Sequence, residues 1–312
     1  MDPLSTVIAL LRPHAALSKP ITARGDWGVR YAAYGMPGFA MVVEGGCWLT
    51  LAAGDPVRLE AGDFVLLPVT PAFDMASRPG MACVPVEPSG QALRHGDPDG
   101  APDFRMLGGS FRVDPANAAL VSALLPGMIH VRSALHDTTG LSRVLGLILE
   151  ETAGDRPGAG MILERLLEVM LIAALRHHGI DGGSRATGLL GGMRDPGVAK
   201  ALQALHANVG DRWTVARLAA IACMSRSAFA ARFTQTVGCA PIEYLARWRM
   251  ALAKDALSRG GISLDRLAEE IGYESASAFS TAFRRHAGCP PGGFARSRRS
   301  ARGRPAAARI PS

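Results

Sequence analysis

An internal repeat in the last third of the chain is the feature that most constrains its fold. Residues 225–241 align with residues 275–291 at an offset of 50, and eight of the 17 aligned positions are identical. Upstream, Leu218-Ala219 matches Leu267-Ala268 at an offset of 49, so the turn between differs by one residue. The chain therefore contains two copies of one small structural unit.

Each copy has the pattern of a helix-turn-helix unit. A short helix is predicted over about 215–222 in the first copy and over about 264–271 in the second. After a tight turn, Ser225 or Ser275 is placed to cap a second helix, since serine oxygens accept hydrogen bonds from the first backbone N–H groups of a helix.

In the second helix of each copy, two phenylalanines lie four residues apart and so share one face. We expect these phenylalanines to serve the core, which leaves small and polar side chains on the opposite face. A face of this kind lets a helix enter the major groove of DNA. The exposed positions are predicted to be Arg226, Ser227, Ala230 and Ala231 in the first copy and Ala276, Ser277, Ser280 and Thr281 in the second.

The charge of the chain is concentrated around this repeat. Residues 201–312 hold 17 basic and 7 acidic residues, a net charge of +10, whereas residues 1–200 carry a net charge of −3. This asymmetry indicates a polyanionic partner for the C-terminal third alone. Between the copies, residues 241–257 form a helical pattern that can hold two recognition helices about 34 Å apart, one turn of B-DNA.

The N-terminal region has the pattern of short strands. From Trp27 to about Val84, apolar runs recur at about ten-residue spacing and are separated by Gly, Asp and Pro. This arrangement predicts an antiparallel sandwich or barrel. From Gln91 to Asp103 the chain becomes polar and rich in Gly and Pro, which predicts a surface loop.

Two helical patterns follow, over about 141–151 and 160–178. The second carries an apolar stripe too wide for a lone surface helix, so we expect the sheet or a second subunit to cover it. Residues 181–195 are rich in glycine and lack periodicity, which predicts a linker. The tail, residues 297–312, is rich in Arg, Ala and Pro and is predicted to be disordered, with a non-specific attraction to phosphates.

Many residues between 196 and 296 match the pattern of a known family. They are Trp213-Thr214-Val215, Leu218-Ala219, Met224-Ser225, Phe229, Phe233, Gly238, Pro241, Tyr244-Leu245, Arg249, Ile271-Gly272-Tyr273-Glu274-Ser275, Phe279, Phe283, Gly288 and Pro291. On these residues the region closely resembles the AraC/XylS class of bacterial transcription regulators. The resemblance implies that the exposed positions of the two recognition helices contact DNA bases.

The sequence departs from the family pattern at two of these positions. Ala231 and Thr281 lie where many members carry arginine. Neighbouring arginines are then expected to contact phosphates or to take over part of the base recognition. These arginines are Arg226, Arg232, Arg284 and Arg285.

The N-terminal region also matches one branch of that class. The matching segments include Asp2-Pro3-Leu4-Ser5, Gly46-Cys47-Trp48-Leu49, Ala61-Gly62-Asp63 and Leu124-Leu125-Pro126. On these segments, residues 1–180 resemble a cupin-type sensor domain. The implied fold is a multidomain β + α protein: an N-terminal cupin-like β-barrel with a helical dimerisation element at about 126–180, and an all-α C-terminal domain, residues 196–296, with two helix-turn-helix units.

Residues for catalysis are not found in the expected strands. A metal-dependent cupin enzyme needs an H-x-H pair, a carboxylate and a third histidine. The strands from Phe39 to Leu67 contain no histidine, and we expect Glu44 to be a solvated turn residue. The sequence therefore predicts no catalytic residue, no metal and no cofactor. A cupin-type enzyme fused to a basic helical domain is the rival hypothesis from another class.

A small-molecule pocket inside the barrel is the expected role of the N-terminal domain. By strand position the candidate lining residues are Met41, Cys47, Trp48, Phe64 and Phe73, each of which is also a candidate for the plain core. Such a pocket suits a small apolar or aromatic effector.

A second hypothesis for the sensor uses cysteine chemistry. Cys47 and Cys83 could form a thiol pair that senses oxidants, provided that a thiol is exposed and has a lowered pKa. The remaining cysteines, Cys223, Cys239 and Cys289, are predicted to be small buried residues of the helical repeat.

The sequence thus predicts a sequence-specific transcription regulator controlled by a small-molecule effector. Its expected partners are double-stranded promoter or operator DNA, a second copy of the chain and RNA polymerase. The apolar runs are shorter than the roughly 18 residues of a membrane span, so no membrane partner is expected. The predicted location is the cytoplasm, at the nucleoid when the protein is bound to DNA.

Overall fold

The computed structural model describes residues 2–52, 54–87, 92–113, 125–132, 140–153, 156–181 and 188–302. These residues form two compact units. The N-terminal unit contains the described residues between 11 and 191, and the C-terminal unit contains residues 192–302 together with residues 2–10.

Two β-sheets build the N-terminal unit. The strands are β1 (His14–Arg24), β2 (Gly28–Tyr31), β3 (Gly38–Glu44), β4 (Gly46–Leu51), β5 (Val57–Glu60), β6 (Phe64–Leu67), β7 (Phe73–Ala76), β8 (Val84–Val86), β9 (Leu93–Gly96), β10 (Phe104–Arg112) and β11 (Ile129–Val131). One sheet has the order β11-β6-β3-β10-β1-β9 and the other the order β5-β4-β7-β2-β8. Both sheets contribute to one hydrophobic core, with Ile21 and Val42 from the first and Leu49 and Met75 from the second. The predicted cupin-like β fold is confirmed.

Strand β9 corrects the prediction of a surface loop over Gln91–Asp103. Leu93–Gly96 pairs in parallel with β1, with Leu93 opposite Ile21 and Gly96 opposite Arg24. The strand lies at the edge of its sheet and is only half-buried, so it carries Arg94 and His95 in place of an apolar run. Its sequence therefore lacks the alternation by which strands are recognised.

Helix α1 (Pro3–Leu11) belongs up to Leu10 to the C-terminal unit, whereas α2 (Gly140–Ala153) and α3 (Ala159–Asp181) belong to the N-terminal unit. Helix α3 packs against α2, β1 and β11. Leu167, Met170, Leu171 and Ala174 of its apolar stripe are buried. The chain's own sheet and helix thus cover the stripe, which was one of the two predicted alternatives.

The C-terminal unit is helical. Its elements are α4 (Gly188–Arg194), which begins before the unit boundary, α5 (Pro196–Ala207), α6 (Val215–Ile221), α7 (Arg226–Val237), α8 (Pro241–Arg259), α9 (Leu264–Glu270), α10 (Ala276–Ala287) and α11 (Pro291–Arg302). Among the described helices, none combines the length and the apolar character that crossing a membrane requires.

Two of these helices differ from the sequence predictions. Helix α4 lies inside the predicted linker, and a Cβ at Gly192 would collide with Val237 and Leu202. At least this glycine therefore reflects close packing and not a loose connection. Helix α11 continues to Arg302, into the predicted disordered tail, while residues 303–312 lie outside the described part of the chain. The domain boundaries themselves stay a prediction.

A buried histidine lies in the core of the C-terminal unit. His206 of α5 is 8% exposed, its Nε2 lies 2.7 Å from the Tyr244 hydroxyl, and its ring packs against Trp248. Burial lowers the pKa of His206 from 6.5 to about 4, against the opposing effect of the Asp2 carboxylate. The neutral ring is therefore the form that the fold accepts.

We expect the free energy of unfolding to decrease as the pH falls from 6.5 to about 4. The unfolded chain takes up a proton at His206 near pH 6.5, whereas the buried ring resists it, which costs at most about 3 kcal/mol. Urea unfolding followed by circular dichroism at pH 7 and pH 4.5 measures this change. His206→Gln should show a smaller decrease than the wild type, and His286→Gln, at an exposed histidine, should match the wild type. An equal decrease in all three proteins would contradict the assignment.

Candidate nucleic-acid interface

Each helix-turn-helix unit is built on two serine or threonine caps. In the first unit, Thr214 accepts a hydrogen bond from the backbone N–H of Arg217, and Ser225 accepts one from Ala228. In the second, Ser263 caps α9 and Ser275 caps α10 in the same way. The predicted caps at Ser225 and Ser275 are confirmed, and the short helices agree with their predicted bounds to within one residue.

The turn of each unit has a residue in the left-handed region. Gly272 takes this role in the second unit with φ +79°, and Cys223 takes it in the first with φ 56°. A non-glycine residue in this conformation costs on the order of 1 kcal/mol. Cys223 is exposed, and Cys239 and Cys289 are half-exposed. The prediction of burial was therefore wrong for Cys223, which lies in the turn, whereas Cys239 and Cys289 are partly buried and Cys289 packs against the core.

The phenylalanines orient both recognition helices as predicted. Phe229 and Phe233 of α7, and Phe279 and Phe283 of α10, are fully buried. On the opposite faces, Arg226, Ser227, Ala231, Arg232, Ser277, Thr281, Arg284 and Arg285 are exposed, and Ala230, Ala276 and Ser280 are partly exposed. The structure therefore brings the predicted DNA-contacting residues to the surface, in two sets.

Arg232 also has a structural contact. Its Nε donates to the Asp195 carboxylate at 2.5 Å, and Asp195 caps α5 by accepting from Gly197 and Val198. The Arg232 side chain is still 51% exposed. A DNA contact at Arg232 would thus use the N–H groups of its guanidinium that face solvent.

Arg249 of α8 connects the two helix-turn-helix units. Its Nε and Nη2 donate to the carbonyl of Val209 at 3.0 and 2.8 Å, and Nη2 also donates to the carbonyl of Asp211 at 2.8 Å. Its Nη1 donates to the carbonyl of Gly272 at 3.2 Å. One side chain thus fastens the segment before the first unit to the turn of the second.

The residue type at 272 follows from this contact. A Cβ at Gly272 would collide with the Arg249 guanidinium and with the carbonyl of Gly210. Nearby, Arg212 donates to Glu274 at 2.7 Å across the same two segments, although both side chains are exposed. Arg249 and these neighbours therefore join the segment before the first helix-turn-helix unit to the turn of the second.

The N-terminal unit contains a cavity of about 210 Å³ inside its shared core. Most of its wall is apolar, including Tyr31, Tyr34, Met36, Leu49, Phe73, Met75 and Met106. A Cβ at Gly38 would collide with the Tyr34 hydroxyl, so this glycine lets the Tyr34 ring lie close to β3. Burial raises the pKa of Tyr31 to about 12, which keeps its hydroxyl neutral.

Of the five predicted effector-binding residues, only Phe73 lines this cavity. Met41 and Phe64 pair across β3 and β6 and alternate along their strands with Val42 and Val65, which belong to the inner core. Both are fully buried on the other face of the sheet. Because both faces of this sheet are covered, hydrophobicity alone does not show which residues point inward.

The other two candidates also lie outside the cavity wall, for two different reasons. Trp48 alternates with the inward residues of β4 and packs under the guanidinium of Arg58, at 5.7 Å. Cys47 points into the core but is fully buried away from the cavity. Lys19, Tyr31 and Tyr34, which do line the cavity, were missed. Lys19 on β1 and Tyr31 on β2 could have been found from the alternation of inward-facing and outward-facing residues along these strands.

The structure does not bring Cys47 and Cys83 together. Cys47 lies on β4 and Cys83 precedes β8, so two strands lie between them, a separation of about 14 Å. A disulfide needs Cα atoms about 6 Å apart. Burial raises the pKa of Cys47 to about 12 and raises that of Cys83, which disfavours the reactive thiolate in both. The geometry gives the thiol-pair hypothesis no support.

The described residues also do not form a metal site. Within the described ranges, no three His, Cys, Asp or Glu side chains are grouped as metal ligands would be. Glu44 is exposed and accepts from Arg105 at 3.0 Å. His130 pairs instead with Asp63 at 2.9 Å, which ties β11 to the turn before β6.

Comparisons with known proteins cover both units. A family model described as cupin matches residues 2–179, and one described as a helix-turn-helix domain matches residues 218–297. Relatives from Streptomyces lividans and Streptomyces antibioticus, both named as AraC-like transcription regulators, are 36% identical over 300 and 301 residues. Each alignment covers 94% of this chain and 98% of the relative. The solved DNA-binding domain of AdpA, in complex with a target DNA, is 31% identical and covers 36% of this chain and 99% of that chain, with a TM-score of 0.34.

The Arg249 contacts predict a large effect of its removal. Arg249→Met should lower the free energy of unfolding of the C-terminal unit by about 3 kcal/mol, since three carbonyl groups lose a charged donor. Arg247→Met is the matched control on the same helix, because among the described residues Arg247 forms an ion pair with exposed Glu243, and such pairs contribute about 0.5 kcal/mol. Urea unfolding monitored by circular dichroism compares the two. Equal losses of unfolding free energy in the two variants would show that Arg249 does not hold the two helix-turn-helix units together.

Proposed function

The chain belongs to the AraC-like family of DNA-binding transcription regulators with an N-terminal cupin domain, and on this premise we propose that α7 and α10 read two major-groove segments under control of a small apolar effector. The observation that carries the proposal is the pair of exposed faces on α7 and α10. The Arg249 guanidinium lies between the two helix-turn-helix units and donates to the carbonyls of Asp211 and Gly272.

The chemistry of the two faces supports DNA recognition. Small side chains such as Ala231 and Ser277 allow close approach of each helix to base edges, and serine and threonine hydroxyls donate and accept hydrogen bonds there. Arg284 and Arg285 lie at the C-terminal part of α10, where they can reach phosphates. Because phosphate contacts carry no sequence information, specificity falls to the small polar positions.

The cavity supports control by an effector. It lies in the core shared by both sheets, so an occupant contacts strands of both at once. Ligand pockets of this kind are mainly apolar with a few polar groups that set orientation. An effector acts only if it binds one state of the protein more tightly than the other.

Exposed apolar residues support a homodimer through α3. Met161 is 76% exposed, and Ile162 and Val169 are each 47% exposed. Ile162 and Val169 are seven residues apart and share one face of the helix. This face, and not the buried stripe at Leu167, is the surface that we assign to the second copy.

The DNA proposal is tested with a matched pair of double variants. Ser277→Glu with Thr281→Glu should weaken specific binding about 100-fold or more, because two carboxylates would face base edges and phosphates. Gln203→Glu with Ala207→Glu makes the same charge change at the same spacing on the exposed face of α5. Binding is measured on the upstream region of the protein's own gene, with excess competitor DNA and across a salt series. An equal loss of specific DNA binding in both double variants would contradict the assignment of α10 as a recognition helix.

The dimer proposal is tested by the same substitution, isoleucine to glutamate, made separately at two positions. Ile162→Glu should shift the protein from dimer to monomer in sedimentation velocity, since a charge in an apolar interface loses its hydration. Ile242→Glu, at an isoleucine that is 41% exposed in the C-terminal unit, should leave the dimer intact. A dimer that persists in Ile162→Glu at micromolar concentration would exclude this face.

A further inference from the structure

A buried lysine without a partner lies in the wall of the cavity. Lys19 is only 6% exposed, and its Nζ makes no hydrogen bond within the described part of the chain. It faces the interior on β1, two residues from Ile21 and opposite Gly108 of β10. Lysine is almost never fully buried unless it is paired. Its burial here therefore calls for a partner that the chain's described residues do not provide.

The surroundings show what kind of partner is missing. The cavity wall contains no Asp or Glu, and its other polar groups are the neutral hydroxyls of Tyr31, Tyr34 and Ser110. His95, on the neighbouring strand β9, is the further titratable group near this lysine, and its Nε2 is also buried without a partner among described residues. Burial and the charge of Lys19 lower the pKa of His95, which favours its neutral form, and an imidazole supplies no negative charge in either form.

We infer that the effector is a small apolar monocarboxylate whose carboxylate pairs with Lys19 and whose hydrophobic body fills the cavity. The inference rests on the proposed effector site and names its ligand class. A neutral ligand would leave the ammonium group unpaired in apolar surroundings, whereas a carboxylate supplies both the opposite charge and two acceptor oxygens. Burial lowers the pKa of Lys19, and a bound carboxylate would reverse that shift by favouring the charged amine.

The size of the cavity limits the ligand. An apolar protein cavity of about 150 Å³ accommodates benzene. A cavity of about 210 Å³ therefore suits on the order of nine heavy atoms, a ring with one carboxylate. The wall offers the rings of Tyr31 and Phe73, stacked at 5.0 Å, and the sulfur atoms of Met36, Met75 and Met106, which favour aromatic contacts.

The test uses benzoate and its uncharged isostere benzamide on the full-length protein, with affinities from isothermal titration calorimetry. The wild type should bind benzoate at least about tenfold more tightly than benzamide, the range expected for a charge-assisted contact. Lys19→Met should lower benzoate affinity at least tenfold and leave benzamide affinity within about threefold. Lys200→Met, at an exposed lysine of α5, should behave as the wild type.

Thermal unfolding without ligand separates binding from folding. Lys19→Met should raise the melting temperature, because it removes an unpaired buried amine, and benzoate should then no longer stabilise the variant. If Lys19→Met does not fold, Lys19→Gln, which keeps a polar side chain without the charge, takes its place.

Two results would overturn the inference in different ways. Equal affinity of the wild type for benzoate and benzamide would reject the carboxylate while leaving the effector cavity in place. No binding of either probe would count against the cavity as a ligand site, and so against the proposed effector control itself.

Discussion

The guanidinium group of Arg249 makes four hydrogen bonds to the carbonyls of Val209, Asp211 and Gly272, and the geometry of the DNA-binding half depends on them. A lysine could not replace it, because only the planar fork of arginine presents several donors in fixed directions. The fork needs close approach of the backbone, which is why residue 272 is glycine. One side chain thus ties the segment before the first helix-turn-helix unit to the turn of the second.

The N-terminal half follows a different constraint, because its larger sheet is covered on both faces. All four residues of β6 are buried, so the usual alternation of polar and apolar residues is absent there. The inner face contributes Val42, Val65 and Leu67 to the core, while the Phe39 ring packs against the rings of Phe64 and Phe111. The cavity lies between strands of both sheets, and Lys19 is the one cationic side chain among the residues that line it. Recognition of a ligand charge at Lys19 would link the sensor's specificity to one side chain.

Sequence reasoning succeeded where local signals agree. The caps at Ser225 and Ser275, the proline at the start of α8 and the paired phenylalanines all act within a few residues, so their pattern predicts the structure directly. It failed where long-range packing decides. Strand β9 exists because β1 offers an edge to pair with, and α4 contains glycine because Val237 packs against Gly192. Neither partner is near in sequence.

The sequence by itself determined the two helix-turn-helix units, their exposed faces and the family of the chain, since periodicity, caps and an internal repeat are properties of neighbouring residues. Only the tertiary structure decided the cavity, because strand parity and the covering of both sheet faces select which apolar side chains point inward. It likewise separated Cys47 from Cys83 and left Lys19 buried without a partner. Burial depends on which segments pack against each other, and the packing of segments far apart in the chain cannot be derived from the pattern of neighbouring residues.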